Sequence, residues 1–106
     1  MTLTIKQNDT APALEAQLLD SEGNPINLDM CGVRFHMQSR YVKKTLIKPA
    51  TIVDAENGLV RVDWQEGDTD TVSTYKCEFQ VTFTDNTILT IPNDGYFLIN
   101  IVRELA

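Results

Sequence analysis

What this sequence has little of narrows its function before any motif is read. One histidine, His36, gives no His pair for zinc and no Ser-His-acid arrangement. Two cysteines, Cys31 and Cys77, are too few for a metal cluster and by default are two buried thiols. No Gly-rich loop precedes a helix, so nucleotide binding has no support. Apolar runs reach only a few residues, far short of a spanning helix. The N-terminus, "MTLTIKQNDT", alternates apolar with polar and lacks a signal peptide's apolar centre. Synthesis in a cytoplasm is therefore expected. The net charge of −6 disfavours nucleic acid and anionic membranes, which need a basic footprint.

What is present is a period of two. In "YKCEFQVTF" one face carries Tyr75, Cys77, Phe79, Val81 and Phe83, and the other carries Lys76, Glu78, Gln80 and Thr82. "LVRVDW" sets Val60, Val62 and Trp64 together, "VRFHMQ" sets Val33, Phe35 and Met37 together, and "ALEAQLL" does so with Leu14, Ala16 and Leu18. These are half-buried strands, each with a wet face. Turn signals recur at 20–25, 54–58, 65–70, 84–87 and 92–95. Asp85-Asn86 marks a hairpin tip, and Pro49 marks an edge or broken strand. The spacing predicts an all-β, immunoglobulin-like sandwich of seven to eight antiparallel strands, one domain over residues 1–106.

Few residues invite chemistry. Tyr75 lies two residues before Cys77, as in immunoglobulin domains, but Trp64 follows Cys31 at the wrong place for their disulfide pattern. Asp63, Glu66, Asp68 and Asp70 lack the spaced carboxylates of a calcium loop, so the acids of this turn are expected to stay solvated. Trp64 shares its phase with Val60 and Val62, which leaves Tyr41 as the exposed ring a saccharide would want. Catalytic, metal and cofactor residues are expected to be absent.

The charge distribution is more informative. From Met30 to Val53 there are five bases, Arg34, Arg40, Lys43, Lys44 and Lys48, and no acid, so this segment is +5. The other residues carry four bases and fifteen acids, so they are −11. Two readings stay open: a solvated edge that discourages strand aggregation, or half of a head-to-tail protein contact made by Arg34, Arg40, Tyr41, Lys43, Lys44 and Lys48. The second reading expects charge reversal at Arg40, Lys43 and Lys44 to spare the fold and weaken assembly.

Four strings, "GNPINL", "VRFHMQ", "ATIVDAENGLVRVDWQEGDTDTVSTYKCEFQVTFTD" and "IPNDGYFLINI", together resemble the N-terminal domain of the baseplate upper protein of tailed phages infecting Gram-positive bacteria. The resemblance runs from about Asp9 to Ile101 and lies in the order of the pieces. Val72-Ser73 stands where such domains tend to have Pro-Gly, and Cys77 where a small residue such as Ala is expected. The resemblance implies an immunoglobulin-type sandwich with a mechanical role, fixing a baseplate arm to the tail hub, and brings no catalytic residues. It implies a non-enzymatic virion component whose partners are other tail or baseplate proteins, further copies of itself included. The family's arm and C-terminal docking region have no counterpart in the four strings, so bridging to receptor-binding proteins is not expected. The rival readings are a host-surface adhesin or carbohydrate-binding module, and an enzyme accessory domain.

Overall fold

The computed structural model describes residues 2–92 and 95–105. Among them nine strands run in chain order: β1 (Thr2–Lys6), β2 (Leu14–Gln17), β3 (Gly32–Ser39), β4 (Thr45–Pro49), β5 (Thr51–Asp54), β6 (Leu59–Val62), β7 (Ser73–Thr82), β8 (Ile88–Ile91) and β9 (Phe97–Val102). They form two sheets. The larger has the order β1-β9-β7-β3-β4 with β8 also on β7, and the smaller has the order β2-β6-β5.

The alternation seen in the sequence is the physical cause of this arrangement. Val33, Phe35 and Met37 of β3 and Tyr75, Cys77, Phe79 and Val81 of β7 are all buried from one side of the large sheet. Leu14, Val60, Val62 and Trp64 come down from the small sheet and the residues that follow it. Apolar faces of two sheets must cover each other, so the core lies between them. Phe35 is its centre, 5.4 Å from Phe79, 5.8 Å edge-on from Trp64 and 6.4 Å from Phe97, measured between ring centroids.

Two expectations need correction. The strands number nine because the basic segment and "TIVD" are separate strands: the chain leaves the large sheet at Pro49, and after Ala50 enters the small one as β5. Nor are all pairings antiparallel, since β1 lies parallel to β9, with Thr2 opposite Leu98 and Lys6 opposite Val102. No hairpin ties these terminal strands, so their direction follows from where the chain crosses between sheets and not from a turn.

The turns behave as their residues dictate. Phe83 and Thr87 close the β7–β8 hairpin through a backbone bond of 2.9 Å, with Asn86 at positive φ and the Asp85 carboxylate accepting the Thr87 N–H. Gly58, at φ +67°, fits where a Cβ would stand 2.6 Å from the Leu18 carbonyl oxygen, a close approach only glycine allows.

Candidate docking surface

The five bases and Tyr41 singled out for a contact do not form one patch. Arg34 lies exposed on the outer face of the large sheet, between Pro49 of β4 and Gln80 of β7. Arg40, Tyr41 and Lys43 occupy the β3–β4 loop. Ser39 shapes that loop: its hydroxyl accepts the N–H groups of Tyr41 and Val42 and pairs with the Ser73 hydroxyl at 2.7 Å. Tyr41 is exposed, with the Arg40 guanidinium 5.9 Å from its ring centre.

Lys44 and Lys48 point elsewhere. On β4, Lys48 has the same phase as Leu46, the inward one, and its ammonium donates to the Asp68 carboxylate at 2.7 Å and to the Asp63 carbonyl. Both side chains of this pair are nearly buried, at 13% and 14% exposure. Lys44 donates to the Gly67 carbonyl and to the Asp70 carboxylate. The bases of the edge strand are thus partly spent on the acids of the 63–70 segment.

That segment is not simply a wet turn: Asp63, Glu66 and Asp70 are exposed as expected, but Asp68 is nearly buried, which corrects the expectation for that acid. Asp68 accepts the Gln65 N–H at 2.8 Å as well as Lys48, Thr69 is buried and donates to the Asp9 carbonyl, and the Tyr75 hydroxyl donates to the Thr71 carbonyl at 2.6 Å. Residues 63–71 form a strap that carries the chain from small sheet to large and ties β4, β7 and the N-terminal loop together. The Lys44 ammonium and the Thr71 hydroxyl hold the Asp70 carboxyl below its usual range. Among the described residues no group of three His, Cys, Asp or Glu converges as a metal set. Charge reversal at Lys44 would therefore disturb the strap itself, so the triple reversal at Arg40, Lys43 and Lys44 is not a clean test of assembly.

The thiols are separate. Cys77 is buried on β7 and Cys31 is half-buried before β3, and both are free. Burial pushes the Cys77 thiol up to about 12. Burial and the Asp29 charge also raise Cys31. A thiol-reactive disulfide reagent at pH 8 is expected to modify at most one thiol per folded chain, slowly, and the second only on unfolding. The fold favours protonated Cys77, so its contribution is complete below pH about 9 and is lost as pH rises through 12. Melting in that window should flatten in Cys77→Ala, after allowing for its lower baseline.

Signals in the sequence that went unused lie on the wet phase of the large sheet. His36, Ile47, Lys76, Glu78 and Tyr96 line a shallow groove of about 380 Å³ there. Ile47 and Tyr96 are exposed, the Lys76 ammonium stands 5.4 Å from the Tyr96 ring, and His36 Nδ1 lies 3.4 Å from the Glu78 carboxylate. An isoleucine in phase with Thr45 and Pro49 was the available clue. A second groove, about 220 Å³, lies on the outer face of the small sheet over Glu15, Gln17, Val53 and Leu59.

With the surface described, comparison with known families decides its class. The family model of the BppU N-terminal domain matches residues 2–101. The chain belongs to this family. The BppU N-terminal domain is the N-terminal domain of the phage baseplate upper protein, a structural protein of the baseplate. The match covers all nine strands but for the last residue of β9, and the strap and both grooves lie within the matched residues. No curated protein matches the chain.

Proposed function

We propose that this chain is a non-enzymatic docking domain of a phage baseplate, present in the virion and acting through contacts with other tail or baseplate proteins. The family match over residues 2–101 carries this reading. The surface supports it: exposed polar strand faces with isolated apolar residues, Ile47, Val53 and Tyr96, suit contact with folded partners. The proposal for the basic segment is now narrower. Arg34, Arg40, Tyr41 and Lys43 remain exposed for a partner, while Lys44 and Lys48 serve the strap. With a charge of −6, the reading involves neither nucleic acid nor membrane. The carbohydrate alternative is left with the exposed ring of Tyr41, because Trp64 is buried.

Quantitative mass spectrometry of purified particles tests the proposal. A fixed copy number per particle is the expected result. Abundant protein in infected cells, with none in intact particles, would reject it.

A further inference from the structure

The two outer faces of the sandwich differ in sign. Across the large sheet the outward phase places Lys6 on β1, Arg34 on β3 and Lys76 on β7, against one acid, Glu78. On the small sheet and just past its ends, the outward groups are Glu15, Asp54 and Asp63, against Arg61. The faces are therefore about +2 and −2, and the internal pairing of Lys44 and Lys48 does not change this.

Each face also has an apolar centre. Ile47 and Tyr96 stand on the basic face, where Ile47, His36 and Glu78 form one cross-strand row flanked by those of Arg34 and Lys76. Val53, exposed beside the irregular register of β5, and Leu59 stand on the acidic face. Exposed apolar residues within a charged rim are the composition of a contact surface. Here the two rims are opposite.

We propose that the outer face of the large sheet docks on the outer face of the small sheet of a second copy of this chain. The contact is heterologous, head to tail, and it rests on the docking reading above. Charge complementarity selects it: basic face on basic face, or acidic on acidic, would oppose like charges, so a two-fold dimer through either face is disfavoured. Because each copy keeps one free face of each sign, the contact propagates into a ring or a short stack.

The contact is small. Three strands of four residues, at about 4.8 Å between strands and 3.4 Å along them, make a patch about 14 Å on a side. That is below the standard interface class, so a single contact is weak, and only closure of a ring or attachment to a common partner makes it persist.

Sedimentation velocity on the purified chain, over concentrations up to about 1 mM, tests the inference. The wild type is expected to show mass rising with concentration and falling with added salt. Arg34→Glu with Lys76→Glu reverses the basic face, and Glu15→Lys with Asp63→Lys reverses the acidic one. Each double variant alone is expected to stay monomeric where the wild type associates. Their equimolar mixture is expected to regain association, since the intact acidic face of one meets the intact basic face of the other and the two reversed faces are again opposite in sign. A wild type that stays monomeric throughout, or variants that associate as it does, would overturn the inference. So would a mixture that remains monomeric while both variants melt like the wild type. If one pair fails to fold, Lys6→Glu or Glu15→Lys alone replaces it, with at least a threefold loss of association expected. A chain present in virions but monomeric in solution sinks this contact and leaves the docking reading intact. Absence from virions sinks the docking reading whatever the sedimentation shows.

Discussion

Phe35→Ala is expected to cost about 3–5 kcal/mol of folding stability, enough to unfold much of the population of a marginally stable domain. The side chain is fully buried and its ring meets those of Trp64, Phe79 and Phe97. These neighbours come from two other strands of the large sheet, β7 and β9, and from the end of the small one, so no single element can move in to fill the space. The cost thus has two parts, the lost burial of the ring and a cavity that stays open. Urea unfolding followed by Trp64 fluorescence measures it, with the slope unchanged if the folded state keeps its compactness. A loss below about 1 kcal/mol would show that the sheets close up around the gap, and that this ring is not the centre of the core.

Lys48→Glu is the second large effect, about 3 kcal/mol or more. Lys48 and Asp68 are both nearly buried, and removing one partner of such a pair leaves the other charge uncompensated. A glutamate there adds like-charge repulsion and also forfeits the bond to the Asp63 carbonyl. The strap over residues 63–71 should loosen first, since Lys48 ties it to β4, and Lys44, just before that strand, makes the neighbouring tie. Hydrogen exchange is expected to speed at Asp68, whose N–H bonds the Gln65 carbonyl, and at Asn8, whose N–H bonds the Thr69 carbonyl. Lys48→Met separates the two contributions. It keeps the stem against the core and removes the ammonium with its two bonds, without adding a negative charge, so its loss should be smaller than that of Lys48→Glu. Equal losses would mean that the repulsion contributes nothing, and that screening at this edge is as effective as in water.

These effects bear on how an edge of the sandwich is closed. β4 is an edge strand, and an edge with free backbone groups invites pairing with another chain. The sequence placed lysines on and just before it, as a solvated protective edge would. The structure turns two of them inward, where they tie the edge to the strap and leave Arg34, Arg40 and Lys43 outside. The solvated-edge and docking readings therefore divide the basic segment between them, residue by residue.

Much of the architecture was legible because side-chain direction in a strand is a local property with a period of two. That period alone put Tyr75, Cys77, Phe79 and Val81 on one face, and Val33, Phe35 and Met37 on another, and all seven are buried. Asp85-Asn86 and Pro49 likewise act through their own backbone, so a hairpin tip and a strand edge could be read from single residues. The order of motifs, spread over most of the chain, identified the family.

What the sequence alone could not supply is everything that depends on which segments meet. Lys48 and Asp68 lie twenty residues apart, Lys44 and Asp70 twenty-six, and nothing local marks them as partners. The phase of Lys48 with Leu46 hinted that it points inward, but only the path of residues 63–71 past β4 supplies the carboxylate it meets. The parallel pairing of β1 with β9 joins the two ends of the chain and has no turn to announce it. The opposite signs of the two outer faces are of the same kind. Each charge is local, but its face is shared by strands far apart in sequence, so the sum exists only once the sheets are assembled.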